Sequence, residues 1–92
     1  MKHLNITITG KVQGVYYRAT CKAVADQLGV KGFVMNQPNG SVYLEAEGET
    51  FALEALLAFC HEGPDRAEVE KVSSVEGTLR AFQNFEVVKK KK

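Results

Sequence analysis

The apolar residues of this chain switch between a period of two and a period near 3.6, and the order of those switches constrains the fold more than any other feature. Leu4, Ile6 and Ile8 alternate with Asn5, Thr7 and Thr9, the pattern of a strand with one face on a core. Tyr17, Cys21, Val24 and Leu28 then recur at helical spacing, and Gly29 stands at the stop position. Val30 to Asn36 returns to strand character and leads through "QPNG" into Ser41 to Gly48, where Val42, Leu44 and Ala46 alternate with Tyr43, Glu45 and Glu47. Asn39-Gly40 accepts the positive φ of a tight hairpin turn. Leu53, Leu56, Leu57 and Cys60 form a second helical stripe, closed by Gly63-Pro64, with Glu49 and Thr50 in its first turn. Ala67 to Glu76 is a strand whose alternation slips between Val69 and Val72, which predicts a bulge, and Phe85 with Val87 marks a short last strand.

That order predicts an α+β chain of the ferredoxin-like, split βαβ type, with two helices on one face of a four- to five-stranded, mostly antiparallel sheet. With 92 residues, one domain over 1–92 is expected, because a second core needs roughly 50 residues more. Both helical stripes and the apolar strand faces are consumed by one core, so a monomer is expected.

Cys21 and Cys60 fall in apolar periodic segments without partners at metal-ligand spacing, so free buried thiols and no metal or other cofactor are expected. No apolar leader follows Met1 and no run approaches a membrane span, which points to a cytoplasmic protein without a membrane partner. The net charge is +1, and removing the four lysines Lys89 to Lys92 leaves −3. A mildly acidic body argues against nucleic acid, and the lysine run reads as a solvated, disordered tail.

Between the first strand and the first helix stands "GKVQGVYYR", Gly10 to Arg18. Gly10 and Gly14 permit backbone geometry and close approaches that a Cβ blocks, so the N–H groups between them can turn toward one point. The helix begins directly behind, and its unpaired N–H groups and positive dipole end aim the same way. Arg18 adds a planar fork of donors suited to phosphate oxygens. A cation at a helix N-terminus opposes the dipole, and such local conflicts concentrate at functional sites. Val12 and Val15 are expected to anchor the loop in the core, and Tyr16 either lines the mouth of the site or caps the core.

"GKVQGVYYR" resembles the signature of the acylphosphatases, and "GFVMNQPNGSVYLEAEG", Gly32 to Gly48, resembles their second signature. "GPDRAEV" and "FQNFEVV" extend the resemblance over nearly the whole chain. It implies hydrolysis of the carboxyl-phosphate bond of a small acyl phosphate to a carboxylate and inorganic phosphate, without metal or covalent intermediate. It further implies that Arg18 binds the phosphoryl group, that the backbone of Gln13, Gly14, Val15, Tyr16 and Tyr17 cradles it, and that Asn36 positions the attacking water. Met35 and Gln37 flank Asn36 where family members often carry a basic or polar residue and a small hydroxyl residue.

The competing functions are a binding module of the same fold and a phosphate-binding protein without turnover. "KGFV", Lys31 to Val34, begins like an RNA-recognition motif, but the stacking aromatics that should follow on that strand are absent. His3 and His61, at a strand start and a helix end, are not expected to act in catalysis. Little between loop and turn describes a pocket for the acyl group, so an open site with broad substrate tolerance is expected.

Overall fold

The computed structural model describes residues 1–89; the expectation of a disordered tail falls on Lys90 to Lys92, outside them, and on Lys89. The elements are β1 (Lys2–Lys11), α1 (Tyr17–Leu28), β2 (Lys31–Asn36), β3 (Val42–Gly48), α2 (Thr50–Glu62), β4 (Glu68–Gly77) and β5 (Phe85–Val88). The five strands form one sheet in the order β4-β1-β3-β2-β5. All neighbours are antiparallel except β2 and β5, so the sheet is mixed and the fold is ferredoxin-like, with a fifth strand on one edge.

Register explains which side chains meet. Ile6 and Val34 both stand opposite Leu44, Leu4 opposite Ala46, and Ile8 opposite Val42. This face is covered by α1 and α2 through Tyr17, Cys21, Ala25, Ala52, Leu53, Leu56 and Cys60, all buried in one cluster with Ile6, Ile8 and Leu44. Each fully buried Leu or Ile stabilises the fold by about 1.5–3 kcal/mol. The Tyr17 hydroxyl donates to the Cys60 carbonyl at 2.7 Å and ties the two helices together. Cys21 and Cys60 are free, buried thiols.

The expected bulge lies in β4. Thr9 pairs with Lys71 and Gly10 with Val69, which leaves Glu70 as the extra residue and accounts for the slipped alternation. Gly29 ends α1 at φ 74°, and Val30 N–H closes back onto the Ala25 carbonyl at 2.9 Å. Of the two turn residues Asn39 and Gly40, Gly40 alone takes positive φ, 93°. Asn39 serves through its side chain, with Oδ1 accepting from the Ser41 N–H and hydroxyl at 3.0 and 2.6 Å.

The opposite sheet face carries a buried polar cluster that periodicity does not reveal. His3, Glu45 and Glu47 are buried there. The connection between β4 and β5 crosses over them: Glu47 accepts the backbone N–H groups of Arg80 and Phe82, and the Phe82 ring stacks on His3. His3 Nδ1 lies 2.7 Å from Glu47, and Nε2 lies 3.0 Å from Asn5 Oδ1 and 3.2 Å from Glu45. Both ring nitrogens therefore face acceptors, a pairing that only the doubly protonated imidazolium satisfies. Burial pushes the His3 pKa down, but its bonds to Glu47 and Asn5 and the charges of Glu45 and Glu47 outweigh it and raise it. Burial likewise pushes Glu47 up, and donation from Arg80, His3 and Phe82 outweighs it and lowers it.

Candidate active site

Strand direction gathers the candidate residues at one end of the sheet. Because β3 is antiparallel to both β1 and β2, those two run the same way, and β5 runs parallel to β2. The ends of β1, β2 and β5 thus deliver the loop before α1, Asn36 and Lys89 to a common edge.

The loop between β1 and α1 is held from below and open above. Strand β1 runs through Gly10 to Lys11 before the chain turns. A Cβ at Gly10 would sit 2.2 Å from the Glu68 carbonyl oxygen, so β4 packs against bare backbone there. Val12 and Val15 are buried, which anchors the loop in the core as expected. Tyr17 opens the helix with its ring buried. Gly14 at φ 74° and Tyr16 at φ 64° both take the left-handed region, which is costly for a tyrosine. Tyr16 is 79% exposed, so it stands at the rim and does not cap the core.

Tyr16 occupies the N-cap position of α1 without a side-chain capping bond, and the first turn holds no acidic residue. The leading N–H groups of the helix are therefore free to meet an anion. Arg18 projects from the same turn, with Nη1 donating to the Val88 carbonyl at 3.4 Å.

Gln13 has a function beyond its backbone. Its side-chain amide donates both hydrogens, to the Gln37 and Ser41 carbonyls at 2.8 Å each, and so staples the loop to the turn after β2. Gln37 is itself part of that turn: its N–H donates to the Ser41 carbonyl at 2.9 Å and its side-chain amide lies 2.7 Å from the Ser41 hydroxyl. The longer Gln37 side chain is thus absorbed by the turn. Met35 pairs with Tyr43 on one side and Val88 on the other, which seats Asn36 at the end of an interior strand. Asn36 Oδ1 is buried and has no hydrogen-bond partner among the described residues.

Gln13, Arg18, Asn36, Gln37, Pro38 and Lys89 line one open cavity of about 330 Å³. Of the five loop residues 13–17, Gln13 lines this cavity, and Gly14, Val15, Tyr16 and Tyr17 do not. Among the described residues, no three His, Cys, Asp or Glu side chains converge as a metal site requires, and no helix is long and apolar enough to cross a membrane.

The sequence profile of the acylphosphatases matches residues 4–87. The chain belongs to the acylphosphatase family. An acylphosphatase of Marinobacter nauticus is 49% identical over 81 residues, covering 88% of this chain and 86% of the relative. One from Thermotoga maritima is 44% identical over 87 residues, covering 95% and 97%. The crystal structure of an acylphosphatase from Bacillus subtilis superposes with a TM-score of 0.93 at 30% identity, covering 96% of this chain and 99% of that one.

Within this acylphosphatase framework, Arg18, Asn36 and Gln13 meet in one cavity although the first two stand 18 positions apart in sequence. Two participants escaped the sequence reading. The Gln13 side chain links partners 24 and 28 residues away, a relation that no local pattern encodes. Lys89 opens the lysine run expected to be a solvated tail, yet it lines the cavity; the parallel pairing of β5 with β2 that brings it there joins segments far apart in the chain and leaves no local signal.

Proposed function

We propose that the chain hydrolyses the carboxyl-phosphate bond of small acyl phosphates by in-line attack of water, with Arg18 and the backbone of residues 13–17 holding the phosphoryl group and Asn36 aiming the water. The observation that supports this most directly is the buried, unpaired Asn36 Oδ1 in a residue that lines the same cavity as Arg18. Such an acceptor suits a water that must be oriented rather than deprotonated.

The water oxygen bonds to phosphorus as the bond to the acyl oxygen breaks. The carboxylate leaves with the electron pair, and both water protons end on the phosphate. A carboxylate is a good leaving group, so the site needs no strong acid. Charge on the equatorial oxygens is met by the helix N–H groups and the Arg18 fork. No metal or covalent intermediate is required. The proposal has the chain act as a monomer in the cytoplasm on free acyl phosphates, without nucleic acid.

The test is loss of ultraviolet absorbance from benzoyl phosphate in the presence of a chelator, for the unaltered chain, Arg18→Ala and Asn36→Ala, each with folding checked by circular dichroism. Turnover that survives chelation and falls by about two to three orders of magnitude in both folded variants is expected. An inactive unaltered chain that still binds inorganic phosphate would replace hydrolysis with a phosphate-binding function. A dimer mass in light scattering at micromolar concentration would overturn the monomer.

A further inference from the structure

The end of β5 brings a second cation to the cavity. Val88 stands opposite Met35 in the parallel pairing with β2, so the next step along both strands sets Lys89 beside Asn36. Arg18 reaches the same strand through the Val88 carbonyl. Among the described residues, the lining of the cavity therefore contains two cations, Arg18 and Lys89, and no carboxylate.

The two cations are not equivalent. Arg18 lies on the first turn of α1, among the N–H groups that can receive a phosphoryl group, and its planar fork matches tetrahedral oxygens. Lys89 is exposed at a strand end, a hydrated point charge on a flexible stem. It has no carboxylate partner among the described residues. A ligand whose phosphoryl charge is met by Arg18 and the helix end leaves Lys89 available to a second anionic group.

We propose that Lys89 is a specificity-determining residue that favours acyl phosphates whose acyl group carries its own carboxylate. This rests on the hydrolysis proposed above for the same cavity. The acyl end of the substrate is thereby read by charge, while the open cavity leaves its shape loosely constrained.

The test compares benzoyl phosphate with 4-carboxybenzoyl phosphate, whose leaving groups are closely matched, using the full chain and its Lys89→Gln and Lys89→Arg variants. The quantity read is the ratio of kcat/KM for the carboxylated substrate to that for the plain one. An exposed ion pair changes such a ratio by about two- to fivefold. Lys89→Gln is expected to lower the ratio by that factor through KM for the carboxylated substrate, and Lys89→Arg to retain it. Added salt should bring the unaltered chain toward the Lys89→Gln ratio. An identical ratio in the unaltered chain and Lys89→Gln overturns the proposal, because Lys89 then does not discriminate acyl groups.

A binding measurement separates this from the reaction itself. Dissociation constants for 4-phosphonobenzoate and phenylphosphonate, read from amide shifts in NMR titrations, should give a ratio that moves in the same way in Lys89→Gln. If neither acyl phosphate is turned over, hydrolysis fails, and the role of Lys89 stands or falls on the phosphonate ratio alone.

Discussion

Strand β1 has a polar cluster near each end, and the two are built on opposite principles. At its start, His3 lies between Glu47, Asn5 and Glu45, and every polar group there faces a partner. Beyond its end, the loop leads to uncapped helix N–H groups and to Asn36 Oδ1, which has no partner among the described residues. The first cluster is buried and closes on itself, so it stabilises one arrangement of the chain. The second borders a cavity lined by Arg18 and Asn36, so it can meet a ligand there. Polar residues mark function in this molecule where their bonding capacity is unspent, and burial alone does not distinguish the two ends.

Substitutions that separate activity from stability would break or sharpen this contrast. Asn36→Ala should lower turnover of benzoyl phosphate by about two orders of magnitude. Urea denaturation should show it unchanged in stability or more stable by up to about 1 kcal/mol, because an unpaired acceptor is removed. A large loss of stability would mean that Asn36 belongs to the structural class.

Glu47→Gln should do the reverse. It puts an amide N–H₂ where Glu47 faces the donors of Arg80, Phe82 and His3. A loss of about 3 kcal/mol in urea denaturation is expected, with kcat/KM of the remaining folded protein within about twofold of the unaltered chain. A drop in activity beyond the unfolded fraction would show that the two ends of β1 are coupled.

Gln13→Ala lies between the extremes, since its side chain is satisfied while its residue lines the cavity. Cutting the staple should cost about tenfold in kcat/KM through a looser loop, and about 1–2 kcal/mol in stability. A stability loss without a kinetic one would move Gln13 to the structural side.

The smallest effect is in pH dependence. Glu47 has a lowered pKa in the fold, so its contribution is present above the ordinary carboxyl value of 4.5 and is lost as pH falls through the folded value. His3 has a raised pKa, so its contribution is complete below its ordinary value of 6.5 and is lost as pH rises through the folded value. Stability should therefore be greatest between about 4.5 and 6.5 as far as this pair is concerned. His3→Gln should flatten the decline on the alkaline side in thermal melts taken across pH. An unchanged slope would show that His3 is not the titrating group.

Much of the fold was legible because each element announces itself locally. The stripe from Tyr17 to Leu28, the Gly29 stop and the slip at Glu70 are written within a few residues of where they act. Arg18 and Asn36 were legible for a different reason, since the stretches around both resemble those of one family. His3 was not, because its partner Glu47 lies 44 residues away. An alternating strand shows that His3 and Glu47 each leave the apolar face, but not that register sets them opposite each other.

The order of strands and helices, the glycine-bearing loop and the cation behind it belong to the sequence alone, because backbone preference and apolar period act over short distances. Tertiary structure decided which polar groups close on each other and which stay open. It sealed the His3 cluster under the β4–β5 connection, stapled the loop through Gln13, and brought Lys89 beside Asn36. Hydrogen-bond satisfaction depends on what stands opposite a residue across the sheet, and that is set by register between segments far apart in the chain.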